Sequence, residues 1–515
     1  MSESSIPAVG IDLGTTYSAV AVLDEAGCPR TLTNAEGDKL TPSAVLFEGS
    51  ETIVGKEAIK ALATDAAAVA ECAKRDLGAR LYHKILGGRH YPPEAIQACI
   101  LNKLRLDAVR QIGPFSKVVI TVPAYFDEVR RKATQDAGYM AGCEVIDIIN
   151  EPTAAAIAFG FQHGMLKQGQ GAAQTQRILV YDLGGGTFDV TVMELAGNDF
   201  TALATDGDVH LGGRDWDQRL VDYVADEFLR QHDLDPREDA NTAGRLWRDC
   251  EEAKRTLTAR SKALVTCDYQ TRHLQLTITR ETFQELTNDL LDRTLFTTRH
   301  TLSAAGLAWR DVDRVLVVGG STRMPGVLDS LRALSGREPD RSVSPDEAVA
   351  HGAALRAALL LRQAGPAGPR FRVQNVNSHS LGVVASDPAT RRPRNAVLIP
   401  RNTPLPAAAR RVFRTQKLGQ KSIKVQIVEG ESASPDDCSQ VAKCSVTQLP
   451  DKLPAQTPIE VEFRYAEDGR LTVVVKVAGV QVKHELQRPN NLSQEQLDSW
   501  RLHISGLPPA PEAPS

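Results

Sequence analysis

The sequence predicts two architectures in one chain of 515 residues: an α/β region over residues 1–365 and an all-β sandwich over 379–488. Three observations carry this. Short β-branched runs alternate with helical stretches up to Gln363, the mark of an α/β fold. Beyond a Pro/Gly-rich break the apolar period changes to two. Within the α/β region a strand–turn–strand motif occurs twice, 170 residues apart, which marks two related lobes.

The first copy is Gly10-Ile-Asp-Leu-Gly-Thr-Thr-Tyr-Ser18, followed by the strand residues Val20 and Val22. A strand is expected at 118–122 and a helix over 127–141. The second copy is Tyr181-Asp-Leu-Gly-Gly-Gly-Thr-Phe-Asp189, set between the apolar run 178–181 and Val190 and Val192. Asp182 stands where Asp12 stands. Residues 314–318 are a further strand ending in glycines. Two Gly and two Pro within 363–369 break any helix, so 366–378 reads as a linker. In the β module Ile423, Val425 and Ile427 alternate with Lys424 and Gln426. Ile459, Val461, Phe463 and Tyr465 alternate with Glu460, Glu462 and Arg464, and Asp468-Gly469 signals a hairpin into 471–477. Residues 489–515 hold a short helical fragment, capped by Ser493, and a Pro-rich tail.

Composition excludes several classes. Net charge is −4, so the basic excess of a dedicated nucleic-acid binder is missing and no nucleic-acid partner is expected. No apolar run approaches the about 18 residues of a membrane span, and 353–361, the richest stretch, contains Arg356. The N-terminus has neither a basic start nor an apolar core, so no secretory signal and a cytoplasmic location are expected. The eight cysteines are scattered without a C-x-x-C pair, which reads as reduced thiols rather than disulfides or zinc ligands.

Turns of glycine and threonine beside an aspartate suit phosphate. Glycines let backbone N–H groups approach an anion, and threonine hydroxyls add donors. A neighbouring carboxylate suits a hydrated Mg²⁺. Two such hairpins facing each other could clamp a polyphosphate. Glu251, Lys254, Arg255 and Thr258 share one helical face, which by itself reads as a solvated charged surface.

The motifs GIDLGTTYS, VPAYFDEVRRKATQDAG, INEPTAAAIAFG, YDLGGGTFDV, LGGRDWD, EEAKRTLT and VLVVGGSTRMPGV occur in the order seen in the Hsp70 (DnaK-like) chaperones, and the chain resembles that family from residue 6 to about 500. The resemblance implies an actin-like, ribonuclease H-like duplicated ATPase domain, a linker and a β-sandwich peptide-binding domain. It implies ATP or ADP with Mg²⁺, and K⁺ beside it, as cofactors. Asp12, Asp182 and Asp189 match the residues that hold the water shell of Mg²⁺. Gly14, Thr15, Thr16, Tyr17, Gly184, Gly185 and Gly186 match the phosphate turns, with Gly212 and Gly213 beside them. Lys74, Glu151, Asp182 and Thr187 match the catalytic set: an ammonium near the developing charge, a carboxylate that orients water, and a threonine near the γ-phosphate. By residue type alone Lys74 is a solvated lysine and Glu151 a helix-start residue. Glu251, Lys254, Arg255, Thr258, Gly319, Gly320, Ser321, Arg323 and Asp346 match the adenosine clamp, where Arg323 would stack on the base. Val383, Phe413 and Ile423 match peptide-cleft positions, with plain sandwich core as the competing reading for Phe413 and Ile423.

The chain departs from the family pattern in four places. The linker has Phe371-Arg-Val-Gln-Asn375 where an acidic residue is usual at the end. Asp147 replaces a usual Arg that meets the linker and J-domain co-chaperones. Ser386 and Gln416 replace the residues that arch over bound peptide. The residues after Trp500 are too few for a helical lid. Pro123 and Arg131 match the family's domain-coupling switch. The expectation is an ATP-dependent chaperone that binds extended hydrophobic segments, with a nucleotide-exchange factor as a partner and J-domain docking in question. Two alternatives are a slow ATPase tethering one dedicated partner and a small-molecule kinase of the same superfamily.

Overall fold

In the computed structural model both copies of the motif are antiparallel hairpins at the centre of a sheet. The structure describes residues 7–49, 51–166, 175–361, 371–387, 389–447, 449–450, 452–466, 471–485 and 492–506. The first sheet runs Pro29–Thr31, Tyr17–Leu23, Val9–Asp12, Lys117–Val122, Glu144–Asn150. The second runs Asp199–Asp208, Phe188–Ala196, Gln176–Leu183, Arg314–Val318. Numbered within each lobe, both share the order 3-2-1-4, and in both the fourth strand is parallel to the first. The repeat in the sequence is therefore a repeat of topology. The helix expected over 127–141 is Glu128–Met140, with Asp127 accepting from the Arg130 N–H as its cap.

Two alanine-rich helices, Glu151–Gln162 and Ala348–Leu360, meet between the lobes at backbone distance. A Cβ on Gly352 would lie 1.8 Å from the Ala154 carbonyl oxygen, so only glycine fits there. This contact puts Glu151 and Asp346, at the starts of the two helices, into one cleft.

The β module is two four-stranded antiparallel sheets with the expected strands at Ile423–Glu429, Pro458–Tyr465 and Leu471–Val477. Their alternate apolar residues form one core. The hairpin turn at 467–470 and the Pro/Gly break at 362–370 lie outside the described residues. Beyond the break, Arg372–Gln374 adds a parallel strand to the edge of the second sheet, beside Asp199–Asp208. Phe371 is buried there with its ring 5.9 Å from Phe200.

The module is seated on both lobes. Tyr465 Oη donates to Glu128 Oε1 (2.8 Å), and His379 Nε2 lies 3.0 Å from the Tyr125 carbonyl oxygen, both on the first lobe. Arg401 reaches Asp206 (3.1 Å), and Asn402 Oδ1 accepts from the Thr205 N–H (3.0 Å), both on the second.

The C-terminal helix is Gln494–Ile504, capped by Ser493 as expected. It lies against the first lobe rather than the β module. Leu497 and Trp500 are buried in that lobe's core, Trp500 sits 5.9 Å from Tyr91, and Tyr139 Oη donates to Asp498 (2.5 Å). Trp500→Ala is expected to cost about 3 kcal/mol, seen as earlier thermal unfolding of the first lobe. Leu502→Ala, on the exposed face, should stay within about 0.5 kcal/mol. Equal effects would mean that the helix is not part of the lobe.

Candidate active site

The two hairpin turns face each other across a cleft of about 440 Å³. They approach so closely that a Cβ on Gly186 would lie 2.2 Å from the Thr15 methyl, which makes glycine obligatory. Gly14, Thr15, Thr16 and Tyr17 line one wall, and Gly184, Gly185 and Thr187 the other. Gly186, Gly212 and Gly213 do not line the cleft but buttress it. The Gly213 and Arg214 N–H groups donate to the Gly184 and Gly185 carbonyls (3.0 and 2.8 Å).

Lys74 is buried, so it is not the solvated lysine that residue type alone suggests. Its Nζ donates to Glu151 Oε1 at 2.5 Å. Lys74 sits in a short 3-10 turn, Ala73–Asp76, entered through Cys72 in left-handed conformation (φ 54°). Asp12 and Asp182 line the same cavity, and Asp189 lies behind Asp182 as its cross-strand partner, held by the Tyr125 N–H (2.9 Å). Four carboxylates, three of them buried and Asp12 half-buried, thus share one ammonium. Burial, reinforced by Glu151, pushes Asp12 up to about 7 and Asp189 up to about 8, and raises Asp182 well above the carboxylate range. Such a surplus of anionic oxygen fits a divalent cation. Among the described residues no three His, Cys, Asp or Glu converge as direct ligands, which fits an ion held through its water shell.

The adenosine-side residues converge as well. Lys254, Arg255, Thr258, Gly319, Gly320, Ser321, Arg323 and Asp346 line the far end of the cleft. Arg323 pairs with Asp346 (2.5 Å), and Ser321 Oγ donates to the Gly184 carbonyl (2.9 Å). Arg255 reaches across to Tyr17 Oη (2.7 Å) and pairs with Glu251 on the outer rim (2.6 Å). Lys254 donates to Asp217 (2.7 Å), whose second oxygen is buried without a partner.

Sequence reasoning missed two arginines that hold the lobes together. Arg75 donates to the Gly186 carbonyl (2.8 Å) and pairs with Asp215 (2.5 Å). Arg214 pairs with Glu71 (3.3 Å) and lies over the Trp247 ring (4.1 Å). Arg75 neighbours Lys74, but its partners are 111 and 140 residues away, and no local pattern shows them. Asp217 had a signal, since it belongs to the LGGRDWD motif.

The profile of the family described as "Hsp70 protein" matches residues 8–503. The chain belongs to the Hsp70 family. It is 39% identical over 503 residues to the chaperone protein DnaK of Halobacterium salinarum, covering 96% of this chain and 77% of that protein. It is 37% identical over 488 residues to the proteins of the same name from Thermotoga neapolitana and Thermotoga petrophila, covering 93% of this chain and 80% of each. The family brings with it the actin-like ATPase domain and β-sandwich expected from the motifs, and it removes the kinase alternative.

The Hsp70 positions outside the cleft divide. Val383 and Ile423 are buried in the sandwich core, Phe413 is half-buried against it, and Ser386 and Gln416 are exposed. Asp147 pairs with Arg356 of the helix Ala348–Leu360 (2.7 Å), and Asn375 Oδ1 accepts from Thr153 Oγ1 (3.1 Å). Both departures from the family pattern are thus satisfied locally. Arg75→Ala is expected to release bound nucleotide about tenfold faster, because a part-buried charged hydrogen bond across the lobes is lost. Stopped-flow displacement of a fluorescent ADP reads this, and an unchanged rate would exclude Arg75 from lobe closure.

Proposed function

We propose that this chain, as an ATP-dependent chaperone of the Hsp70 type, hydrolyses ATP between its lobes and holds exposed apolar segments of other proteins on its β module. The observation that carries the reading is the buried Lys74–Glu151 pair at 2.5 Å, placed in the same cavity as the two phosphate turns.

The residues supply the following chemistry. Backbone N–H groups of Gly14, Thr15, Thr16 and Gly185 and the hydroxyls of Thr15, Thr16 and Thr187 serve the phosphates. Arg255 and Arg323 offer planar guanidinium faces to adenine. Lys74 neutralises negative charge that builds on the transferred phosphoryl group. Glu151, held by Lys74, orients the attacking water and draws on its proton. Asp12, Asp182 and Asp189 would hold hydrated Mg²⁺, which would supply further charge neutralisation. Lys74→Ala is expected to lower single-turnover ATP hydrolysis by at least about 100-fold while nucleotide still binds. An unchanged rate would remove Lys74 from the mechanism.

The seat of the β module supports coupling between the two activities. His379 meets the carbonyl of Tyr125, and the N–H of the same residue donates to Asp189. Arg131 Nη2 donates to Asn150 Oδ1, one residue before Glu151. His379→Phe is expected to abolish acceleration of peptide release by ATP and to leave ATP binding in place. Fluorescent-peptide release with and without ATP measures it, and full acceleration in the variant would exclude this path.

One observation favours specialisation in the choice of co-chaperone. The Asp147 carboxylate is taken by Arg356, so a J-domain that depends on a cation at this position meets none. The eight free cysteines support a reducing compartment such as the cytoplasm. No described helix is long and apolar enough to cross a membrane.

A further inference from the structure

Residues 386–424 of the β module carry ten Lys or Arg and one acid, Asp387, in a chain whose net charge is −4. Apart from Arg401, which faces the second lobe, the strand register gathers most of these cations toward one end. Val383 pairs with Ile427, so Ser386 and Ile423 finish their strands side by side. The turn residues 389–392 and the loop 415–422 lie at this end, bearing Arg391, Arg392, Lys417 and Lys421, all exposed. Glu429 and Tyr465, which meet the first lobe, lie at the opposite end. The basic end therefore points away from the ATPase domain.

Few of these charges are neutralised. Arg394 pairs with Asp387 (3.0 Å), Arg401 with Asp206 (3.1 Å) and Arg410 with Glu460 (3.4 Å). The other seven cations form no ion pair among the described residues. They flank two sheet edges: Pro393–Ile399 ends one sheet and Ala407–Arg414 ends the other. Arg411 bridges these edges by donating to the Val397 carbonyl (3.3 Å) over the ring of Phe413. Beside them stand two exposed apolar residues, Val412 and Leu418 (54% and 76%).

We propose that this end of the module selects extended protein segments in which apolar residues are flanked by aspartate or glutamate. The edge strand offers unpaired backbone groups to an extended chain. Val412 and Leu418 offer apolar contact, and the cationic rim supplies the charge complement. Nucleic acid fits less well, because Phe413 is the sole aromatic residue in 386–424 and Arg411 covers it, which leaves no platform for base stacking.

The inference rests on the reading of the module as a peptide holder, and the test separates the two. Fluorescence anisotropy of the full chain with ADP compares three labelled peptides that share one apolar core and carry Glu, Gln or Lys flanks. The Glu-flanked peptide is expected to bind about tenfold tighter than the Lys-flanked one in dilute salt, with the gap closing as salt screens the charges. Arg414→Glu combined with Lys417→Glu should erase or reverse the order, with unchanged nucleotide affinity showing that the variant is folded. Binding of the Gln-flanked peptide without preference between the charged pair overturns the acidic selectivity and leaves the peptide-holding reading intact. Binding of none of the three overturns both. Displacement of bound Glu-flanked peptide by a single-stranded oligonucleotide at lower concentration than by free peptide also overturns the proposal.

Discussion

Much of this molecule is arranged around a charge imbalance in its interior. Asp12, Glu151, Asp182 and Asp189 stand in or beside one cleft with Lys74 as the ammonium among them. Carboxylates are tolerated inside a protein when hydrogen-bonded, and three of these four have a donor: Thr121 for Asp12, Lys74 for Glu151 and Tyr125 for Asp189. All three donors come from the first lobe, and the one from Tyr125 crosses to Asp189 on the second. The closed arrangement of the lobes, the backbone-distance contact at Gly352 and the arginine bridges at Arg75 and Arg214 all serve to keep that set assembled.

The same donors lead outward. Tyr125 lies between a cleft carboxylate and the β module, and Arg131, on the helix that meets Tyr465, reaches the residue before Glu151. The module touches Tyr125 and Glu128 on one lobe and Thr205 and Asp206 on the other, so any relative movement of the lobes changes its seat. The cleft between the lobes and the β module therefore share one set of contacts.

Much of this was legible in the sequence for reasons that can be stated. The hairpins at Asp12 and Asp182 were readable because glycine and threonine at fixed spacing reflect local backbone demands, and the duplication doubled the signal. The β module was readable from its period of two, and the Ser493 cap fixed the start of the last helix. What escaped was non-local. Nothing near Arg75 announces Asp215, nothing near Trp500 announces Tyr91, and nothing in Asp147 announces Arg356. For Phe413 and Ile423 the sequence left core and cleft as alternatives, because alternation along a strand gives the same pattern for both. The structure places Val383 and Ile423 in the core and Phe413 at its margin.

The strand Arg372–Gln374 has a bearing on solubility. It covers the outer edge of the second lobe's sheet, along Asp199 to Thr201. An uncovered edge offers its free amides and carbonyls to any passing chain and invites self-association. Whenever the linker leaves its seat, that edge opens and Phe200 loses the cover of Phe371. A protein that shields the exposed strands of others thus carries, in its own linker, a removable shield for one of its own.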